Sequence, residues 1–311
     1  MTQEMGRRKF LQAAAGAGAL GLAGRSSGAA SRMFVSLNSA LTPGAAGWPG
    51  FARLAAKTGY GGADLTNLNA AMKDGAAETR ALLSELKLRL SAAGLPLRLT
   101  GDEAAFKSGL ETLSEAAEFL ARIDCPRMTT VVPSGSQTPK AELRKILKDR
   151  LSAVGEVLAR SKVRLGLEFL GPLQLRARAP HEFIWRMDEM LEFAKECGPN
   201  IGLLLDSWHW HHAGATVADI LAAGRPRIVH VHVSDSAKLP PEQVIDNQRL
   251  LPGDGVIDLT AFFRALQKIG YEDGISPEVL GRIPKDMPPE EGARLGLEST
   301  LKVMRKAGVA A

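Results

Sequence analysis

Short apolar runs and longer amphipathic stretches alternate along the chain from residue 32 to its end. A run of four to eight apolar residues between turn formers reads as a buried strand, and apolar residues recurring every three or four positions read as a helix. Strands are therefore expected at 33–38, 60–66, 95–100, 127–133, 163–169, 201–206, 227–235 and 274–280. Helices are expected at 48–58, 76–93 and 102–123, after Thr138-Pro139, after Ala179-Pro180, at 217–223, after Asp258, and at 289–308. Gly59, Gly94 and Gly270 each follow a last periodic residue, which is a helix C-cap signal. Asp102 and Asp258 stand where a side-chain oxygen caps a helix start.

Eight strand–helix units in strict alternation imply a parallel sheet with right-handed crossovers. A (β/α)8 TIM barrel needs about 250 residues. The 311-residue chain therefore reads as an α/β protein, with one barrel domain over 32–311 behind an N-terminal leader over 1–30. The open-sheet alternative lacks its phosphate-binding signatures, since no GxGxxG follows the first strand and no GxxxxGK[ST] occurs.

The leader changes the reading of charge. Arg7, Arg8, Lys9 and Arg25 stand there against Glu4, so the +5 of the whole chain falls to +2 without it. No Lys/Arg stripe with interleaved aromatics appears, so nucleic acid is not an expected partner. The pair Arg7-Arg8 before Phe10-Leu11 and a small-residue apolar stretch is similar to a twin-arginine export signal, which places the mature protein in the periplasm. That apolar stretch is too short and Gly-rich to span about 30 Å of hydrocarbon, so no stable membrane span is expected after processing. Cys125 and Cys197 lack any CxxC context and read as partly buried thiols.

The candidate chemistry sits at strand ends. Glu168 closes VRLGLEF, Asp206 closes IGLLLD, His232 lies in RIVHVHVSD and Glu278 follows Ser276-Pro277. In a (β/α)8 barrel all strand C-termini open on one face, and catalytic groups come from several of them. Three carboxylates and one imidazole would repel one another unless a divalent cation or bound protons neutralised them. The oxygen-rich set suits Mn²⁺, Mg²⁺, Co²⁺ or Zn²⁺ rather than a closed Cys-type zinc site. His230 and His232 are two apart on a strand and share a face, so His230 is expected one layer below His232. In the string DSWHWHHAG, His209, His211 and His212 cannot all be ligands, and one is expected to face solvent or pack on a tryptophan. Arg249, in the loop DNQRLLPGDGVID, reads either as a surface residue or as a guanidinium turned back over the mouth onto substrate.

These motifs together resemble the xylose isomerase-like TIM-barrel superfamily, in its branch of sugar (phosphate) isomerases/epimerases and inosose dehydratases. The resemblance runs from Phe34 to about Met304. It implies one divalent metal, commonly Mn²⁺, on Glu168 of LEF, Asp206 of DxxH, His232 of HVHxxD and Glu278 of PEV. It further implies Glu168 and Glu278 as catalytic acid–base groups, and His209 and Arg249, the latter in RxxPGxG, as substrate contacts. The family's epimerases often carry a second acid after the strand-five Glu, where this chain has Gln174. The first histidine is His181, which argues against true xylose isomerases and the three-zinc endonucleases, whose early strands supply histidines.

The expected function is a metal-dependent sugar isomerase or epimerase that abstracts a proton next to a metal-bound carbonyl. A lyase or dehydratase on a keto-sugar or keto-glycoside would use the same ligands, and a non-catalytic sugar-binding barrel is the alternative of another class. A small sugar is the expected partner, and a homo-oligomer is compatible with the sequence.

Overall fold

The computed structural model describes residues 33–45 and 47–310; the expected leader lies outside them. Eight parallel strands close into a barrel. They are β1 (Phe34–Leu37), β2 (Gly62–Leu65), β3 (Arg89–Gly94), β4 (Arg127–Val131), β5 (Arg164–Glu168), β6 (Ile201–Asp206), β7 (Ile228–Val233) and β8 (Gly274–Pro277). Each pairs with its sequential neighbour, and β8 closes on β1. The helices that pack outside include α1 (Gly50–Thr58), α4 (Glu103–Arg122), α5 (Lys140–Arg160), α10 (Leu259–Lys268) and α11 (Pro289–Ala307). We number the others α2 (Leu68–Asp74), α3 (Ala76–Leu86), α6 (Leu173–Arg176), α7 (Met187–Cys197), α8 (Ser207–His212) and α9 (Val217–Ala223).

Most strand residues are buried on both faces, as expected of helix-covered parallel strands, with β4 the more open one. Every residue of β6 and β7 is buried. Several expected caps are present. Asp102 accepts from Ala105 N at 2.8 Å and Asp258 from Ala261 N at 2.9 Å. Gly59 ends α1 in the left-handed region at φ 90°, which glycine reaches without a Cβ clash.

Three boundaries differ from the sequence reading. The third strand is 89–94, not 95–100, and the helix before it stops at Leu86, not at residue 93. Lys87 turns left-handed at φ 51° and breaks the helix, so the helical spacing of Leu90 with Leu86 and Leu83 is coincidental. Leu88 N then bonds back to Leu83 O at 2.9 Å, and Leu90 points into the core from a strand. The helix after β5 does not start at Pro180. The segment instead forms the single turn α6 and a two-residue strand, His181–Glu182, paired antiparallel with Gly135–Ser136. The long helix α7 begins at Met187. Both cysteines are free and fully covered, more so than partial burial predicts.

Candidate metal centre

The barrel register sets the four candidate ligand residues side by side. Asp206 pairs with His232 across β6 and β7, and Glu168 at the tip of β5 pairs with Leu204, two residues before Asp206. Glu278 leaves β8 with its N–H on Val233 O at 3.0 Å, beside His232. One donor atom from each of Glu168, Asp206, His232 and Glu278 lies within 4.8 Å of all the others. His232 Nδ1 stands 3.8 Å from Glu168 Oε1 and 3.4 Å from Glu278 Oε2. Glu278, with its side chain 20% exposed, is the member that faces the mouth.

This set fits a divalent cation on its own chemistry. Glu168 Oε1 and His232 Nδ1 are buried with no hydrogen-bond partner of good geometry. Buried polar atoms are normally paired, so two unpartnered ones within one tight cluster mark a ligand position. Three carboxylates and one imidazole form a hard, oxygen-rich set suited to Mn²⁺, Mg²⁺, Co²⁺ or Zn²⁺.

Arg249 is not a surface residue. Its side chain is 1% exposed and lies inside the cluster. Nη1 donates to Asp206 Oδ2 at 2.7 Å and to Glu278 Oε2 at 3.1 Å. Nη2 lies 3.2 Å from His209 Nε2 and donates to Asp246 Oδ1 at 2.7 Å. Nε also reaches Asp246 Oδ1, at 3.0 Å, so one carboxylate braces two guanidinium nitrogens. The loop that carries Arg249 is clamped by Asp235 of HVHxxD. Its Oδ1 accepts from Ile257 N at 2.9 Å and its Oδ2 from Gly253 N at 3.0 Å.

Protons and Arg249 settle the charge of the bare ligand set. Burial pushes the Glu168 carboxyl well above its usual range, and the negative charge of Glu278 adds to the effect. Burial alone would lower His232, yet Glu278 and Glu168 outweigh it and raise the imidazole to about 10. Glu278 is depressed despite its burial, because His232 and Arg249 stand beside it. Arg249 and His232 thus stand as cationic partners among the carboxylates, with Arg249 donating to both Asp206 and Glu278 and His232 Nδ1 3.4 Å from Glu278.

The other histidines divide as their positions require. His209 is 1% exposed, faces Arg249, and is pushed down to about 4 by burial. His212 turns away, packs on Trp208 with ring centroids 4.5 Å apart, and meets Ser236 Oγ at 3.1 Å. His230 lies beneath His232, as expected, with ring centroids 5.1 Å apart. Its Nε2 meets Ser276 Oγ at 3.1 Å.

Two residues escaped the sequence reading. Asp64, in β2, gathers a polar layer across the barrel: Ser276 Oγ donates to its Oδ1 at 2.7 Å, Ser91 donates to the same oxygen, and Asn38 Nδ2 donates to Oδ2 at 2.8 Å. Asp64, His230 and His232 also have donor atoms within 4.8 Å of one another, but hydroxyl and amide hydrogens occupy both Asp64 oxygens. Because Ser276 gives its proton to Asp64, its lone pair takes the His230 Nε2 proton, which fixes the His230 tautomer. The signal for Asp64 was the one that marked Glu168, an acid inside an apolar strand. Asp246 gave no signal beyond standing three residues before Arg249.

Residues 52–306 match the family described as "Xylose isomerase-like TIM barrel". Among solved structures, a xylose isomerase domain protein from Alicyclobacillus acidocaldarius superposes with TM-score 0.81 at 31% identity, covering 89% of this chain and 99% of that one. An IOLI protein with a bound zinc atom shares the fold at TM-score 0.75 and 22% identity, covering 88% of this chain and 99% of that one. Among characterised sequences, the inosose isomerase of Bacillus subtilis is 28% identical over 168 residues, which is 54% of this chain. The match spans 58% of that relative's length.

Proposed function

Because the chain belongs to the xylose isomerase-like TIM-barrel family, we propose that it is a divalent-metal-dependent sugar isomerase or epimerase. The observation that carries this reading is the convergence of Glu168, Asp206, His232 and Glu278 at the barrel mouth. The similarity to inosose isomerases supports the reaction class, and the zinc in the IOLI protein supports a divalent ion.

Glu168, Asp206, His232 and Glu278 would hold the cation. When bound, it supplies Lewis acidity that polarises a carbonyl and acidifies the C–H beside it. Glu168 is desolvated and unpaired at Oε1, and an elevated carboxyl makes a stronger base once deprotonated. We assign it the abstraction of that proton. Glu278, at the open side and held as a carboxylate, takes up a proton from solvent and delivers it to the opposite face for epimerisation or to the neighbouring carbon for isomerisation. Arg249 and neutral His209, adjacent inside the cluster, are assigned to sugar hydroxyls.

A panel of keto-sugars in deuterated water tests this. The expected result is solvent deuterium uptake by the metal-loaded protein and none after chelation. Uptake that persists in the Glu168→Gln and Glu278→Gln proteins would sink the acid–base assignment. Release of water or an aglycone along with exchange would move the enzyme to the lyase class. The leader at residues 1–30 carries a separate proposal of export to the periplasm. It is tested by fractionating cells that express the Arg7→Lys/Arg8→Lys chain, which is expected to stay inside.

A further inference from the structure

A second concavity lies at the same end of the barrel. It is a cleft of about 560 Å³ between the loops that follow β5, β6 and β7. Each wall starts close to a ligand residue: Pro172 comes shortly after Glu168, His212 after Asp206 and Ala237 after His232. Trp208 links cleft and centre through its neighbours. Its ring touches His212, a cleft residue, and the Arg249 guanidinium stands 5.5 Å from the same ring.

The lining is apolar with cations and no acid. Leu173, Leu239, Val244 and Val256 supply apolar surface, and Leu239 and Val256 are 42% and 47% exposed. Uncovered apolar surface beside a functional centre marks a contact for an apolar group. Arg176 and Lys238 supply the charge. Arg176 is fixed by stacking 3.6 Å above Trp185, and its one ion pair among the described residues, to Glu182, is loose at 3.9 Å. Its Nε is buried with no hydrogen-bond partner among the described residues. Lys238 makes no ion pair among the described residues. The Arg176 side chain keeps 16% exposure and lines the cleft, and a planar guanidinium held in one orientation offers paired N–H donors to a carboxylate.

We propose that this cleft binds an apolar group that ends in a carboxylate, carried as a substituent on the sugar held at the metal centre. The assignment rests on the sugar-enzyme reading above and adds to it a substrate larger than a free monosaccharide. A free aromatic acid presents the same chemistry, so the test separates the two sources.

The metal-loaded protein is titrated calorimetrically with methyl, phenyl and 4-carboxyphenyl β-D-glucopyranoside and with benzoate. The expected result is at least a ten-fold tighter Kd for the carboxyphenyl glucoside than for the methyl glucoside, with the phenyl glucoside between them. Arg176→Gln and Lys238→Gln should each remove the gain due to the carboxylate and leave methyl glucoside binding unchanged. Lys238 is exposed, so its variant does not depend on refolding a packed site. Equal affinity for the three glucosides, or unchanged affinity in both variants, overturns the proposal. Arg176-dependent benzoate binding with no gain for the glucoside overturns the substituent assignment in favour of a free acid. Absence of deuterium uptake from every keto-sugar, with the glucoside gain intact, defeats the isomerase reading and leaves the cleft assignment standing.

Discussion

Arg249 Nη1 lies 2.7 Å from Asp206 Oδ2, and both side chains are almost wholly buried, at 1% and 0% exposure. The guanidinium thus does in the bare protein part of what a cation would do, since it also holds Glu278 at 3.1 Å. Ion pairs buried to this depth owe their strength to geometry, and losing one partner leaves the other charge stranded.

Arg249→Gln should accordingly destabilise the chelated protein by about 3–5 kcal/mol, the usual cost of breaking a buried pair. Saturating Mn²⁺ should recover much of that loss, because the ion neutralises the same carboxylates. Urea denaturation with and without metal measures both quantities, and an equal loss in the two conditions would contradict the shared-carboxylate picture.

Glu168→Gln should abolish proton exchange yet stabilise the metal-free fold at neutral pH. The native carboxyl is held above the unfolded value of about 4.3, so between the two the native state binds more protons. Stability from this group is therefore fully present below the unfolded value and declines as pH rises through the window up to the native one. Gln has no proton to lose and escapes the decline. Thermal midpoints of the two metal-free proteins should coincide near pH 4 and diverge, with the variant higher, as pH is raised towards 8.

Binding of a divalent ion should release protons. His232 is raised to about 10 and Glu168 is elevated in the bare site, and both must give up protons to ligate. Calorimetric titration in buffers of different ionisation enthalpy should show net release at pH 7. Apparent affinity should rise with pH over the same interval.

Asp64→Ala should cost more than a surface change. It strands the Ser276 and Ser91 hydroxyls and the Asn38 amide, each a buried donor worth about 1–3 kcal/mol when left unmade. Asp64→Asn keeps an acceptor and should cost less. Imidazole ¹⁵N shifts of His230 should report the Nε2–H tautomer in the parent protein and a mixture in the alanine variant.

Much of the centre was legible because its signal is local. An acid or imidazole ending an apolar run is costly without a partner, and Glu168, Asp206 and His232 each announce themselves in that way. Asp64 carried the same mark in GADL but stands on the opposite half of the barrel, where no neighbouring motif reinforced it. The third strand was misplaced because Leu83, Leu86 and Leu90 keep helical spacing through a break made by one left-handed lysine, which composition does not reveal. Arg249 was legible as a site residue but not as a buried one. Its depth follows from Asp235 pinning Gly253 and Ile257, contacts between segments that sequence spacing does not connect.

All four candidate ligand side chains spring from neighbouring strands, β5 to β8, so one arc of the rim would grip an ion while the other arc bears none of them. Loops beyond β1 to β4 can accordingly be lengthened, shortened or recut, by drift or by design, to admit cargo of a new outline without touching metal affinity. Diversification of substrate and retention of the ion are thereby assigned to separate halves of one ring.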